Sequence, residues 1–236
     1  MIQLRNRIGL FGMEGVVKKL ALAACLAATA LANGYTIVSQ LPPNGGGAMR
    51  WSKLWVDLSG QGNNLDGDAI CYEDFVLHQS ARISHIEWWG DAPPDQGFQI
   101  EFWKQDPGTT GYQPLGVFRE LGAQPDFAQI FTSYSSALDS TGTYHYTLDL
   151  PIPVALHANN AANPRWFIAI IGLTDVAYLE WNWAQGMGGS SRTFQFIRGA
   201  GGGGDRYWIL PEGRAMVLKG VPMRPTVPPI SIYPSH

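Results

Sequence analysis

The sequence has little cysteine and little charge. Only two cysteines, Cys25 and Cys71, occur in 236 residues. Charged residues make up 15% of the chain, below the roughly 25% of soluble domains. The net charge of −3 comes without a cluster of lysine and arginine. A nucleic-acid partner is therefore not expected, because binding to the phosphate backbone depends on such a cluster.

Catalytic and metal-binding motifs are missing as well. The five histidines are dispersed, and no two of them stand at the spacing of zinc ligands. The chain has no Gly-x-Ser-x-Gly and no phosphate loop, and "GAGGGGD" lacks the preceding strand and following helix of a dinucleotide loop. No catalytic residue and no cofactor are predicted from motifs.

A structural calcium ion is the one metal that the sequence leaves open. The stretch "GNNLDGDAICYE" has oxygen-bearing side chains at several calcium-loop positions, but Gly62 stands where the first Asp is required, and no helix flanks it. An Asp-Gly turn accounts for the same residues. Asp57, Asp66 and Asp68 are the candidate ligands if calcium binds here.

The amino terminus predicts export. Residues 1–32 end in a signal peptide that is expected to start at Met13: Lys18 and Lys19 precede an apolar run that finishes in Ala-Leu-Ala before Asn33. The run is too short to cross a membrane, so no span is expected in the mature chain. "LAAC" also resembles a lipidation site at Cys25. Simple export to the periplasm or the exterior is favoured, because only five residues separate Lys19 from Cys25.

The mature chain predicts an all-β fold. It is rich in Gly, Pro and aromatic residues, and short alternating runs are separated by turn residues, as in sandwiches. We expect one antiparallel β-sandwich of jelly-roll type over residues 50–221. A flexible lead-in (33–49) precedes it and a Pro-rich tail (222–236) follows. The expected strands lie near 70–78, 82–89, 98–104, 114–120, 143–149, 165–172, 178–183, 193–197 and 214–219. With one cysteine left, no disulfide can form within the chain, and Cys71 is expected to be a buried, inert thiol.

The stretch "HIEWWGDAPPDQGFQIEFWKQ" (85–105) carries the most informative pattern. Strand alternation places Ile86 and Trp88 on one face, together with Phe98, Ile100 and Phe102 from the next strand. This face is apolar throughout and should point into the core. Trp89 and Trp103 then fall on the opposite, polar face.

That polar face predicts a sugar-binding platform. Flat apolar faces of sugar rings stack on aromatic rings, while planar amides and carboxylates bind the hydroxyls. The segment "LEWNWAQG" (179–186) offers a similar set. The candidate ligand-binding residues are Trp89, Trp103, Glu87, Glu101, Gln99, Trp181, Trp183 and Asn182. Binding should depend little on salt, since no charged patch is evident.

Two other interpretations fit the same residues. The polar face can be covered by a loop or by the tail, in which case its tryptophans are structural. Alternatively, Glu87 and Glu101 lie on one face of adjacent strands, about 5 Å apart, the spacing of the two carboxyls in a retaining glycosidase.

The mature chain resembles a family of secreted bacterial β-sandwich proteins of uncharacterised function. The resemblance spans about residues 50–220 and rests on "CYEDFVL", an I-x-W-W-G strand, a G-F-x-I-x-F strand, an apolar W-F-I-A-I strand and a later W-x-W segment. It implies the fold and supplies no catalytic residues. The favoured function is a secreted, non-catalytic binding module for a glycan or another surface polymer. The alternatives are a structural envelope or matrix protein and, third, a glycoside hydrolase.

Overall fold

The computed structural model describes residues 34–56, 68–108, 111–117, 122–140, 142–176, 179–199 and 204–224. The chain divides at Gly34, and all strands belong to the second unit, Tyr35–His236. The predicted signal peptide with Cys25, the calcium candidates Asp57 and Asp66, and tail residues 225–236 lie outside the described residues. Among the described residues, no helix is long and apolar enough to span a membrane.

Sixteen strands and a short 3-10 helix, Asn44–Gly46, are defined within the described residues, and residues 115–117 also have 3-10 conformation. The strands are β1 (Tyr35–Gln40), β2 (Arg50–Trp51), β3 (Lys53–Trp55), β4 (Ala69–Phe75), β5 (Ala81–Gly90), β6 (Phe98–Lys104), β7 (Phe127–Phe131), β8 (Ser135–Leu138), β9 (Tyr144–Leu156), β10 (Trp166–Thr174), β11 (Asn182–Trp183), β12 (Gln185–Gly186), β13 (Thr193–Ile197), β14 (Arg206–Leu210), β15 (Gly213–Arg214) and β16 (Met216–Pro222).

The strands form a β-sandwich, as predicted. In sheet A the central order is β1-β16-β5-β9. β8 pairs with β9, and the short strand β11 pairs with the last residue of β5 and with β2. In sheet B the central order is β4-β10-β6-β7, with β13 and β14 beyond β4. The central strands follow the chain as β1 in sheet A, β4 in B, β5 in A, β6 and β7 in B, β9 in A, β10 in B and β16 in A. Because β16 returns beside β1, this is the strand order of a jelly roll.

The core between the sheets follows the alternation of β5 and β6. Ile86, Trp88, Phe98, Ile100 and Phe102 are all fully buried in one cluster, which confirms the predicted core face. β10 is central in sheet B: all nine of its residues are buried and it lies between β4 and β6, as its unbroken apolar sequence requires.

A second cluster lies on the other side of sheet B. Phe167, Ala169, Ile171 and Leu173 alternate with the core residues of β10, so they point away from sheet A. The segment that contains Tyr112, Leu115 and Val117 packs on this outer face. This segment therefore covers the outer face of sheet B and shields it from solvent.

Several predicted boundaries are wrong. The lead-in is not simply flexible, because β1 within it pairs antiparallel with β16. No strand is found in residues 114–117 of the expected strand 114–120; Pro114 makes only an isolated bridge to Gln105. The sheets are not wholly antiparallel, since β3 pairs parallel with β10. Short edge strands such as β2 and β14 escape alternation patterns because they span so few residues.

Candidate functional site

The predicted pair of glutamates does not come together. β5 belongs to sheet A and β6 to sheet B, so the loop between them crosses the sandwich and does not form a hairpin. Glu87 and Glu101 alternate with core residues on their strands and lie on opposite outer faces. Packed sheets stand about 10 Å apart, so these carboxyls cannot flank one glycosidic bond. The hydrolase arrangement is therefore wrong.

Glu87 is the centre of an ion-pair network on the outer face of sheet A. Lys219 and His145 both contact its carboxylate, His145 at 2.9 Å, and His85 lies 3.4 Å away. Burial acts to raise the pKa of Glu87, but the hydrogen bonds and charges of Lys219 and His145 outweigh it and lower the pKa. The carboxylate is thus ionised and already occupied by the Lys219 ammonium and the His145 imidazole.

Glu101 and Gln99 support the fold of β6. Glu101 is 1% exposed; it accepts hydrogen bonds from Gln99 Nε2 and, at 2.7 Å, from Trp103 Nε1. Trp103 is buried in the cluster on the outer face of sheet B. The prediction that Trp103 faces water is wrong, because the segment around Tyr112 covers it.

Trp89 is also covered. It is 6% exposed and packs with Ala184, Ala215 and Val217. Its Nε1 donates to Asp139 at 2.7 Å, and its ring stacks parallel on His145 with centroids 4.3 Å apart. Both faces of β5 are therefore buried around its two tryptophans.

Trp181 and Trp183 are buried in the main core as well. Trp183 Nε1 donates to the Ala215 carbonyl at 2.8 Å, and Trp181 packs edge-on against Phe98. Asn182 between them binds Asp91 Oδ2 through its amide at 2.7 Å. The four nominated tryptophans therefore form no exposed platform.

The remaining metal candidate, Asp68, is engaged by the protein. Its carboxylate accepts from the Trp55 backbone N–H at 3.2 Å and lies 3.4 Å from Arg198 Nη1. Within the described parts of the chain, no group of three or more acidic, histidine or cysteine side chains could hold a metal. Cys71 is buried, and burial raises the pKa of its thiol to about 12, so it is a poor nucleophile.

An exposed aromatic site exists elsewhere, at the edge of the sandwich. β2 ends one sheet and β14 ends the other, and a cleft of about 360 Å³ opens beside them. We call it the edge cleft; it is lined by Met49, Arg50, Trp51, Gln195, Ile197, Trp208 and Leu210. Trp51 and Trp208 are each 43% exposed, in contrast to the buried tryptophans above.

Hydrogen bonds fix the walls of the edge cleft. Gln195 Nε2 donates to the Trp51 carbonyl at 2.9 Å, and Arg50 Nε donates to Glu212 Oε1 at 2.5 Å. Gln195 lies directly opposite Trp208 in the β13–β14 ladder. Among the described residues, no hydrogen bond engages Gln195 Oε1, so that oxygen can accept from a ligand. The cleft thus joins two ring faces to a planar amide and a guanidinium.

Neither Trp51 nor Trp208 was nominated from the sequence. A usable signal was present in "RYWIL", a short aromatic run directly after the glycine-rich loop "RGAGGGGD". Apolar residues on both faces of so short a strand fit either a buried strand or an exposed edge. The choice depends on long-range pairing, which alternation does not encode.

A second groove of about 360 Å³ lies on the outer face of sheet B, between Leu54, Ile70, Leu173 and Phe196. It includes the nominated residue Gln99, whose Nε2 is engaged with Glu101. The charged residues of its lining, Asp68 and Arg198, pair with each other at 3.4 Å, whereas the edge cleft presents two half-exposed tryptophan rings.

Comparison with known proteins adds no assignment, because no family model, curated protein or solved structure matches this chain.

Proposed function

We propose that this protein is a secreted, non-catalytic binding module for a glycan or another hydroxyl-rich surface polymer, and that the polymer binds in the edge cleft. The observation that carries the proposal is the pair of half-exposed tryptophans, Trp51 and Trp208, beside Gln195 and Arg50. Large exposed aromatic rings with convergent polar groups are typical of ligand sites.

The chemistry of the cleft suits a sugar chain. An indole ring stacks on the apolar face of a sugar, and the amide of Gln195 offers an acceptor for a hydroxyl. An open cleft at a sheet edge admits a long polymer from the side, whereas a closed pocket would admit only its end. The resemblance to secreted bacterial sandwich proteins and the predicted signal peptide agree with an extracellular ligand.

The test is the affinity of the purified protein for soluble polysaccharides, measured by calorimetry. The panel contains neutral dextran and xyloglucan and acidic polygalacturonate. Trp208→Ala should lower the affinity for the bound polymer about thirtyfold, since truncating a central tryptophan typically costs about 2 kcal/mol or more.

Tyr207→Ala is the matched control. Tyr207 is the preceding residue on β14, is exposed, and points to the opposite face, where it stacks on Phe194. It should leave affinity unchanged. Equal losses in both variants would contradict a site in the cleft.

A structural envelope or matrix protein is the second candidate. The burial of Trp89, Trp103, Trp181 and Trp183 favours it, because those rings contact other parts of the protein and not a ligand. The same panel separates the two functions: a structural protein binds none of the polymers.

A further inference from the structure

Arg50 gives the edge cleft a positive charge, and Arg206, which lies outside the lining of the cleft, adds a second one on the neighbouring part of β14. Arg50 lines the cleft and uses Nε to bind Glu212, while its two Nη groups make no hydrogen bond among the described residues. Arg206 alternates with Trp208 and Leu210 along β14, so it shares their face. Arg206 is exposed, and the described part of the chain gives it no acidic partner.

The carboxylates nearby do not balance these charges. Glu212 is shared between Arg50 and the fully buried Arg214, whose Nη2 lies 3.3 Å from the same oxygen. That contact is an ion pair without hydrogen-bond geometry. Asp205 precedes Arg206, so alternation turns it to the other face of β14, and it accepts from the Gly199 N–H. Glu212 therefore serves two guanidinium groups, and Arg206 on β14 adds a third positive charge in a protein whose net charge is −3.

Guanidinium groups with free Nη donors match a particular ligand group. Their planar fork binds a carboxylate through two parallel hydrogen bonds. A sugar that carries a carboxylate can satisfy the fork while its ring lies against an indole. A neutral sugar would form no ion pair with the guanidinium groups at the cleft.

We infer that the edge cleft selects acidic polysaccharides, in which uronate carboxylates pair with Arg50 and Arg206 while the sugar rings stack on Trp51 and Trp208. This inference rests on the proposed function and names its substrate class. It reverses the expectation from the sequence that binding is insensitive to salt, because ion pairs at an exposed cleft are screened.

The experiment compares polygalacturonate with the same polymer after methyl esterification, which removes the charge and keeps the backbone. The affinity of the unmodified protein for the acid form should be about tenfold higher or more, since a charge-assisted bidentate pair is lost on esterification. Raising salt from about 0.05 to 0.5 M should weaken binding of the acid form and leave the ester form unchanged.

Arginine variants test which side chains cause the preference for the acid form. Arg206→Gln should reduce the preference for the acid form and keep binding of the ester, and its fold is safe because Arg206 makes no ion pair within the described residues. Arg50→Gln should act in the same direction, although it also loses the bond to Glu212. Arg82→Gln, at an exposed position on β5, removes the same charge outside the cleft and should change nothing.

The outcomes distinguish the selection of acidic polysaccharides from the proposed glycan binding itself. Equal affinity for acid and ester forms, or for dextran and polygalacturonate, overturns acid selection and leaves glycan binding intact. Equal affinity for dextran sulfate and polygalacturonate also overturns it, because attraction would then follow charge and not the carboxylate. Binding to no polymer overturns both.

Discussion

Replacing Glu73 by Gln should stabilise the domain at neutral pH and leave its stability in acid unchanged. Glu73 is fully buried on β4; its Oε2 accepts from the Thr193 hydroxyl at 2.7 Å and from the Arg214 N–H at 2.8 Å. Its Oε1 and Gln40 Oε1 are buried with no hydrogen-bond partner. Glu73 Oε1 and Gln40 Oε1 lie 2.9 and 3.0 Å from the position that a Cβ on Gly213 would take. The two acceptors therefore border the same small space beside Gly213.

A proton on Glu73 would supply the donor that these acceptors lack. Burial raises the pKa of Glu73 well above its ordinary value, and the hydrogen bond from Thr193 only partly offsets this. Because the folded pKa is the higher one, the folded state holds the proton after the unfolded state has lost it. Stability therefore falls as pH rises from the unfolded pKa, near 4.3, through the raised folded pKa.

The variant removes this titration. A glutamine can keep Oε1 toward Thr193 and Arg214 and present its NH₂ group to Gln40 Oε1. An unsatisfied buried polar atom costs about 1–3 kcal/mol, so we expect that gain above neutral pH and almost none near pH 4. For a domain of this size, each kcal/mol raises Tm by about 2–4 °C.

Urea unfolding of both proteins between about pH 4 and 8 measures the difference. Glu101→Gln is the matched control, because both carboxyl oxygens of Glu101 accept hydrogen bonds from N–H groups. The NH₂ group of the glutamine would face one of these donors, so this variant should lose about 1–3 kcal/mol of unfolding free energy. A parent stability that does not fall with pH, together with a destabilising Glu73→Gln, would refute the reasoning. The Gln40 amide would then present its NH₂ group to an ionised Glu73.

Three further predictions concern core, thiol and export. Trp88→Ala and Trp89→Ala should each cost about 3–5 kcal/mol in urea unfolding, because both rings are buried; a neutral Trp89→Ala would contradict the packing on β5. Cys71 should react with a thiol reagent only after unfolding, since it is buried with a pKa of about 12; rapid labelling of the native protein would disprove this. Amino-terminal sequencing of secreted material should begin near Asn33, whereas a lipidated Cys25 as first residue would refute simple export.

Strand alternation was sufficient to predict the core but not the surface. Over Ile86–Trp88 of β5 and Phe98–Phe102 of β6, every second residue is large and apolar, and this pattern alone placed Ile86, Trp88 and Phe102 correctly. The unbroken apolar run of β10 likewise indicated a strand covered on both sides. Such patterns reflect local burial, which the sequence of a strand carries by itself.

The sequence could not show what covers the outer faces. Trp89 and Trp103 stand on the polar sides of their strands, yet Ala215 and Tyr112 come from distant segments to pack near them. The long loop after β5 also concealed that β6 belongs to the other sheet. These contacts depend on topology, so the exposed tryptophans could be found only in three dimensions.

The most direct test of the edge cleft is an NMR titration of the indole N–H groups. The chain has nine tryptophans, and polygalacturonate and dextran fragments serve as probes. Binding in the cleft should shift the signals of Trp51 and Trp208 and leave those of buried Trp103 and Trp183 in place. Shifts confined to other tryptophans, or no shift at saturating concentrations of either probe, would contradict the proposed site.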